Sequence, residues 1–255
     1  MEELTIVKVG GKIVEEEESL KQLLKDFSFI EGHKVLVHGG GRSATRIAER
    51  LGIENRMVDG RRITDRETLK IVTMVYGGLV NKNIVAGLQS LGLNAIGLTG
   101  ADLNIILSDK RPVKNIDYGY VGDVKQVNAE LPSELIRRGV VPVLAPLTHD
   151  GKGNILNTNA DTIAGEAAKA FARYFDVRLI YCFEKKGVLS NENDDDSVIP
   201  EIDTCLFEQY VSQGIINGGM IPKLENALEA IRSGVKEIII SHASEIHTGR
   251  GTKIR

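Results

Sequence analysis

Two stretches of sequence decide the fold class: LTIVKVGG at residues 4–11 and VLVHGGG at residues 35–41. Each is a short run of β-branched and apolar residues that ends in glycine, which is typical of a buried strand followed by a tight turn. Segments with helical spacing follow each stretch, at residues 19–27 and 42–51. This alternation of strand and helix predicts a mostly parallel sheet that is covered by helices.

The same alternation continues along the rest of the chain. A capping box at residues 64–67, TDRE, predicts a long helix that starts at Asp65. The predicted fold class is therefore α/β. Further buried strands are predicted at residues 95–98, 140–144, 179–183 and 237–241, more exposed strands at 104–107 and 123–127, and helices at 159–173, near 204–213 and near 223–233.

Composition excludes several classes of protein. The chain has 255 residues, 42% of them hydrophobic, which is enough for one large domain or two fused lobes. A net charge of -3 gives no bulk attraction to nucleic acid or to an anionic membrane. No apolar run approaches the roughly 20 residues of a membrane span, and the start of the chain lacks the features of a signal peptide. We therefore expect a cytoplasmic protein, in which Cys182 and Cys205 are free thiols rather than a disulfide.

Glycines stand at or near the carboxyl ends of three predicted strands, at Gly10, Gly39 and Gly97. Ligands of parallel sheets bind beyond these ends, and glycine lets backbone N–H groups approach a phosphate closely. Lys8 adds a positive charge beside the first of these turns. The pattern is neither a P-loop nor a dinucleotide fingerprint. A plain tight turn is the alternative, but the glycine pattern is repeated on two strands, which favours a phosphate site.

Two later segments are compatible with a site but also with ordinary helix ends. NTNAD at residues 157–161 precedes a predicted helix, so its polar side chains either cap that helix or hold a substrate. The pair Gly218 and Gly219 leads into a helix with Lys223 in its first turn. A cation there opposes the helix dipole unless an anion shares the site, which points to a bound anion.

Taken together, these segments resemble the amino-acid kinase family. The matching pieces occur in the same order over essentially the whole chain, and the one around Arg62 points to the branch that acts on acylglutamates. The resemblance implies a three-layer α/β/α sandwich around a mainly parallel sheet. Residues 1–175 would form an N-terminal lobe for acylglutamate binding and dimerisation, and residues 176–255 a C-terminal lobe for ATP. The pieces are KVGG (8–11), HGGG (38–41), DGRRIT (59–64), NTNAD (157–161) and GMIPK (219–223).

The reaction implied by the resemblance is ATP-dependent phosphorylation of the side-chain carboxylate of an N-acyl-L-glutamate, a step of arginine biosynthesis. N-acetyl-L-glutamate is the favoured acceptor. A free carboxyl of this kind has a pKa of roughly 4.3, so it is already ionised at neutral pH and needs no general base. Catalysis then consists mainly of alignment and charge neutralisation. Mg²⁺ would arrive with the nucleotide and be held through water and phosphate oxygens, so no protein metal site is expected.

The resemblance also assigns roles to individual residues. Lys8 and Lys223 would stabilise the transition state from the two lobes, and Asp161 would hold both lysines in place. Arg62 would pair with the α-carboxylate of the substrate. The remaining expected contacts are Gly40, Gly41 and Asn157 for the acylglutamate, and Gly10, Gly11, Glu184, Gly187 and Asn217 for phosphate or nucleotide.

Three features differ from the family pattern. A strand that usually ends in Ser/Thr-Asp-Val-x-Gly reads FEKKG at residues 183–187, so that Glu184 replaces the aspartate and the contacts to ribose and base are left open. Arg61 beside Arg62 either faces solvent, the preferred interpretation, or reaches a second carboxylate such as that of an N-succinyl group. The first strand begins at Leu4 without the extra N-terminal helix of arginine-inhibited hexamers. We therefore expect a homodimer without arginine feedback.

Two alternatives remain open at this point. The chain could be another kinase of the same fold, acting on aspartate, glutamate, carbamate or a nucleoside monophosphate. It could also be a non-catalytic nucleotide-binding protein on the same scaffold. Such a protein should lack at least one of Lys8, Asp161 and Lys223, yet all three are present.

Overall fold

A computed structural model describes residues 1–58, 60–191, 193–218 and 220–255, apart from the side chain of Pro222. The strands are β1 (Glu3–Val9), β2 (His33–His38), β3 (Met57–Val58), β4 (Arg61–Arg62), β5 (Ala95–Leu98), β6 (Ile106–Lys110), β7 (Gly122–Val127), β8 (Val141–Leu144), β9 (Leu147–His149), β10 (Ile155–Asn157), β11 (Asp176–Phe183), β12 (Glu201–Ile202), β13 (Glu237–His242) and β14 (Thr252–Ile254). The helices are α1 (Gly11–Glu15), α2 (Glu17–Ser28), α3 (Gly41–Arg50), α4 (Arg66–Val72), α5 (Asn81–Ser90), α6 (Glu130–Arg137), α7 (Ala160–Phe171), α8 (Thr204–Ser212) and α9 (Met220–Arg232).

The main sheet crosses the whole molecule in the strand order β12-β14-β13-β11-β1-β2-β8-β5. Neighbouring strands from β13 to β5 run parallel, whereas β14 is antiparallel to β13 and β12 follows the direction of β14. The expectation of a mainly parallel sheet is therefore confirmed. Strand β1 lies between β2 and β11, and Val9 is paired with His38 on one side and Cys182 on the other. The carboxyl ends of these three strands consequently meet at one edge.

Side chains alternate between the two faces of β1, which places apolar layers on both sides of the sheet. Leu4 and Ile6 belong to a core that α6, α7 and α9 cover. Val7 and Val9 belong to a second core, under α2, α3, α4 and α5. The result is the expected three-layer sandwich. Lys8 is two residues from Ile6, so it points to the α7 side of the sheet.

A second, four-stranded sheet of order β10-β9-β6-β7 and the β3–β4 hairpin stand beside this sandwich. The sequence predicted only two of these strands, as residues 104–107 and 123–127, and their bounds are shifted to those of β6 and β7. Strands β3, β4, β9 and β10, the edge strands β12 and β14, and helix α6 were not predicted. Strands of two or three residues are too short to show alternation, so their pairing depends on distant parts of the chain.

The helix predicted to start at Asp65 is long and continuous. Asp65 is its N-cap, and its side chain accepts the Thr68 N–H at 2.7 Å. A π-helical segment, Thr73–Val80, joins α4 to α5. By length and composition the whole helix could cross a membrane, but 44% of its most apolar window is buried inside the protein. Core helices of soluble proteins pass the same test of length and composition, so the test alone does not indicate a membrane span.

Candidate active site

The two glycine turns pack against each other at the carboxyl ends of β1 and β2. The Gly39 N–H donates to the Val9 carbonyl at 2.9 Å. A Cβ on Gly39 would come within 3.1 Å of the Gly11 nitrogen, and one on Gly11 would lie 3.5 Å from the Gly41 nitrogen. Gly41 also begins helix α3. Backbone N–H groups of both turns therefore meet near a helix N-terminus, which is a favourable arrangement for an anion.

The side chain of His38 is hydrogen-bonded to the second glycine turn, at Gly39. The sequence alone did not reveal this role. His38 is fully buried, with Nδ1 2.6 Å from the Gly39 carbonyl oxygen and Nε2 3.1 Å from Asn81 Nδ2. Burial lowers the pKa of His38 to about 4, so the ring is neutral at pH 7. Because a carbonyl can only accept, Nδ1–H donates to Gly39 and Nε2 accepts from Asn81. Asn81 also donates to the Val143 carbonyl at 3.0 Å, which agrees with this tautomer.

Lys8 and Asp161 form an ion pair under the turns, with Nζ and Oδ1 2.7 Å apart. The Lys8 side chain is only 9% exposed, while that of Asp161 is 31% exposed. Asp161 stands in the first turn of α7, where Asn159 accepts the N–H groups of Asp161 and Thr162 at 2.8 and 3.2 Å. In the NTNAD segment, Asn159 therefore caps the helix and Asp161 faces the site.

Lys223 approaches the same place from α9, but its ammonium group lies over an aromatic ring. Its Nζ is 4.3 Å from the centroid of the Phe183 ring, and Lys8 Nζ is 5.9 Å from that centroid. No ion pair joins Lys223 to Asp161 in this structure, where Asp161 pairs with Lys8. Asp161 therefore contacts Lys8, while Lys223 lies over the Phe183 ring. The role expected of Asp161 in holding both lysines stays a prediction.

The four residues expected to bind the acylglutamate line one cavity of about 180 Å³. This first cavity lies between the second glycine turn, the β3–β4 hairpin and the start of α7. Its walls combine glycine backbone with polar side chains and a few apolar groups, as small-molecule sites do. The predicted residues in its lining are Gly40, Gly41, Arg62 and Asn157.

Arg62 is buried and firmly held at this cavity. Its Nη2 donates to the Gly41 carbonyl and to Thr45 Oγ1, each at 2.9 Å, and its Nη1 donates to Asn55 Oδ1. These contacts use three of the five N–H donors of a guanidinium group. The Nε–H and one Nη1–H are not used in these contacts, and each can donate to a ligand.

Asn157 and Gly40 complete the opposite wall. Asn157 is buried, and its Nδ2 donates to Thr64 Oγ1 at 2.9 Å. Gly40 has a φ of 159°, and a Cβ there would approach the Tyr76 ring to 3.0 Å. The close approach of Tyr76 explains why glycine is needed at this position.

A second cavity, of about 280 Å³, surrounds the first glycine turn. It is lined by Lys8, Gly10, Gly11 and Glu184, all of them predicted site residues. The Glu184 carboxylate is 3.3 Å from Lys12 Nζ and 3.8 Å from Arg42 Nη2, so it stands between two cations at the cavity edge.

A third cavity, of about 250 Å³, contains Asp161 and Lys223. Single residues connect the three spaces: Gly41 lines the first and second, Arg61 the first and third, and Phe183 the second and third. Lys8 lines the second cavity and Asp161 the third, so their ion pair joins these two spaces. The first cavity adjoins them through Gly41 and Arg61.

Arg61 is partly buried rather than solvent-facing, so the preferred expectation for this side chain is wrong. Burial is the main cause that lowers the pKa of Arg61, and the positive charge of Arg111 adds to it. Arg111 itself is paired with Asp123. A second guanidinium group therefore borders the first cavity beside Arg62.

Three residues that the sequence singled out, Gly97, Gly187 and Asn217, lie outside the three cavities. A Cβ on Gly187 would come within 2.6 Å of Thr252 Oγ1, and one on Gly97 would come within 1.8 Å of Asn81 Oδ1, so packing explains both glycines. Asn217 is exposed and donates to the Gly214 carbonyl at 3.2 Å, just before α9. None of the three lines the cavities above. The nucleotide contacts of Gly187 and Asn217 stay predictions.

The described residues include neither a cluster of metal ligands nor a disulfide. Within the described ranges, no group of three or more His, Cys, Asp or Glu residues could hold a metal ion. Cys182 is buried and Cys205 is exposed, and both are free thiols, as expected. The site therefore combines several cations and backbone N–H groups with a carboxylate, Asp161, paired to Lys8, which is suited to joining two anions.

Such a site, at the carboxyl edge of a parallel sheet, defines a phosphotransferase class. The sequence profile of the amino acid kinase family matches residues 3–242, and the chain belongs to that family. It is 72% identical over 254 residues to an acetylglutamate kinase of Parabacteroides distasonis, which covers 100% of both chains. An acetylglutamate kinase of Methanopyrus kandleri is 41% identical and covers 99% of this chain and 100% of that relative.

Solved structures agree on the fold. The crystal structure of smu.665 from Streptococcus mutans superposes with a TM-score of 0.80 at 28% identity and covers 98% of each chain. Carbamate kinase from Giardia lamblia, solved with AMP-PNP bound, has a TM-score of 0.72 at 14% identity, over 98% of this chain and 97% of that one. The second likeness supports the fold alone.

Proposed function

We propose that this protein transfers the γ-phosphoryl group of ATP to the side-chain carboxylate of N-acetyl-L-glutamate, forming an acyl phosphate and ADP in arginine biosynthesis. The observation that carries the proposal is the Lys8–Asp161 ion pair, which joins the second and third cavities next to the first one. The names of the full-length relatives supply the acceptor. The family and the site chemistry supply the reaction class.

The acceptor would occupy the first cavity. A remaining donor of Arg62 would bind its α-carboxylate in a charge-assisted hydrogen bond, and Asn157 would bind polar atoms of the acylated end. The reacting carboxylate would then face the Gly41 turn. It is ionised at neutral pH, so no residue has to remove a proton from it.

The chemical difficulty is the approach of one anion to another. Lys8 and Lys223 would offset the charge of the γ-phosphoryl group, and the N–H groups of Gly11 and Gly41 would donate to its oxygens. Asp161 cancels one of the two positive charges, so its contribution is orientation of Lys8 and not extra charge. Mg²⁺ would enter as part of MgATP and neutralise the remaining phosphate oxygens.

The larger organisation follows the same proposal. Residues 1–175 would provide the acceptor side and residues 176–255 the nucleotide side, although both contribute strands to one continuous sheet.

A second copy of the chain would cover the exposed face that Met74 and Leu79 form on the π-helical segment. These side chains are 56% and 50% exposed and lie close together in sequence on this helix. We expect the assembled homodimer to work in the cytoplasm without contact to nucleic acid or membrane.

The test is a hydroxylamine trap for acyl phosphate with MgATP and a panel of acceptors. The panel contains N-acetylglutamate, N-succinylglutamate, glutamate, aspartate and carbamate. We expect hydroxamate with N-acetylglutamate. Hydroxamate only with one of the last three acceptors would overturn the proposal in favour of another kinase of the fold, and no hydroxamate at all would favour a binding protein.

Matched lysine variants extend the test to the site. Lys8→Met removes the ammonium group but keeps the length of the side chain, and it should lower kcat by about 10²- to 10³-fold, as loss of an electrostatic donor does in other enzymes. The control is Lys21→Met, a surface lysine paired with Glu17 and Glu18, which should keep full activity. Equal activity of the two variants would exclude the assigned role of Lys8.

A further inference from the structure

The aromatic ring of Phe183 lies next to the ammonium groups of Lys8 and Lys223. Phe183 is the last residue of β11, and Lys8 is paired with Tyr181 across the β1–β11 ladder. Alternation places Phe183 on the same face as Tyr181, which is the α7 and α9 side of the sheet. The rings of Tyr181 and Phe183 are stacked, with centroids 6.3 Å apart and an interplanar angle of 18°.

Lys223 needs such a neighbour because its own helix does not favour it. Its ammonium group stands in the first turn of α9, where the helix dipole repels a cation. In the part of the chain that the structure describes, no carboxylate lies within ion-pair distance of Lys223. The Phe183 ring, 4.3 Å from Nζ to centroid, faces it instead. The negative face of an aromatic ring attracts a cation at this distance.

The ring also connects the two lysines. Lys8 Nζ is 5.9 Å from the same centroid, at the outer limit of a cation–π contact. Phe183 lines both the second and the third cavity, so it separates the first glycine turn from the Asp161 side.

We propose that Phe183 is a positioning residue, which holds the Lys223 ammonium group over its ring so that it faces the incoming γ-phosphate. This inference rests on the proposed phosphoryl transfer and deepens it. Asp161 orients Lys8, and Phe183 orients Lys223. The two lysines are thus held by different means, one by a carboxylate and one by an aromatic face. An uncharged holder leaves the full positive charge of Lys223 available to the phosphoryl group.

The experiment compares Phe183→Leu, which removes the aromatic face, with Phe183→Tyr, which keeps it. Phe29→Leu is the matched control, since Phe29 is 59% exposed and lies outside the three cavities. We expect Phe183→Leu to lower kcat by about 3- to 30-fold, the range of a cation–π contact. The KM values for ATP and acceptor should change less than kcat. Phe183→Tyr and Phe29→Leu should behave as the wild type.

A second measurement does not depend on activity. Lysine labelled with ¹³C at Cε gives one NMR signal per side chain, and Lys223→Arg identifies the signal of Lys223. Ring current should move that signal upfield in the wild type and in Phe183→Tyr, but not in Phe183→Leu. A Lys223 signal at the position of a free lysine in the wild type would overturn the proposal, and so would wild-type kcat in Phe183→Leu. An upfield signal without any hydroxamate would reject phosphoryl transfer while keeping the contact.

Discussion

Replacement of Gly11 by alanine should separate catalysis from stability. A Cβ on Gly11 would lie 3.5 Å from the Gly41 nitrogen and 3.6 Å from the Gly40 nitrogen. These are ordinary van der Waals distances, so the fold can accept the methyl group. A phosphoryl oxygen, however, would have to sit about 2.7–3.1 Å from the same N–H groups. The methyl group and the phosphoryl oxygen cannot both occupy that space.

The magnitudes follow from this geometry. Gly11 begins α1, where alanine is the better helix former, so the free energy of unfolding should stay constant or rise by about 0.4–1 kcal/mol. Loss of one N–H donor to the transferred group costs about 2.7–4 kcal/mol of transition-state stabilisation, or about 10²- to 10³-fold in kcat. We expect Gly11→Ala to be as stable as the wild type and nearly inactive.

The measurement combines urea unfolding with the hydroxamate assay. Gly78→Ala is the matched control, because a Cβ on Gly78 meets nothing within 4 Å and this glycine lines none of the three cavities. It should gain stability and keep its activity. Full activity of Gly11→Ala would refute the assignment of the phosphoryl group to the space between the two glycine turns.

Three further outcomes are expected. His38 has a folded pKa of about 4 against roughly 6.5 when unfolded, so its neutral form stabilises the fold above pH 6.5 and this contribution, about 3 kcal/mol, is lost as the pH falls toward 4. Urea unfolding between pH 7 and 4 should show a smaller loss for His38→Gln, and equal losses would contradict the assignment. Asp161→Asn should destabilise by about 1–3 kcal/mol, less than a fully buried pair because the carboxylate is 31% exposed, and should reduce hydroxamate formation. Light scattering should find a monomer for the double variant Met74→Glu with Leu79→Glu but a dimer for Leu51→Glu, whose residue is exposed elsewhere; a dimer in both would exclude the proposed face.

Local sequence patterns were sufficient to predict features that depend on neighbouring residues, such as a turn at the end of a strand or the cap of a helix. The glycine turns after β1 and β2, the cap at Asp65 and the parallel order of the long strands can all be inferred from spacing. Short strands such as β9 and β10 were missed, because three residues carry no period. The pairing of these strands depends on contacts between distant parts of the chain. Strand β10 nevertheless carries Asn157, which lines the first cavity.

The sequence also could not show which charged side chains pair with each other or which of them are buried. The order of motifs predicted Lys8, Asp161 and Lys223 together, but which lysine pairs with the carboxylate depends on the positions of α7 and α9 over the sheet. Arg61 is a similar case, since a neighbouring arginine in sequence gives no sign of whether it is buried. The same holds for His38, whose neutral state follows only from its complete burial.

The sequence by itself determined the α/β class and the two glycine turns, and it predicted the charged residues Lys8, Asp161 and Lys223. Hydrophobic periodicity and glycine at strand ends are local properties, so they can be recognised before the chain folds. Only the tertiary structure decided that Lys8 is paired with Asp161 while Lys223 rests on Phe183. These contacts join residues more than 30 positions apart, and distance in space between such residues is set by packing and not by spacing along the chain.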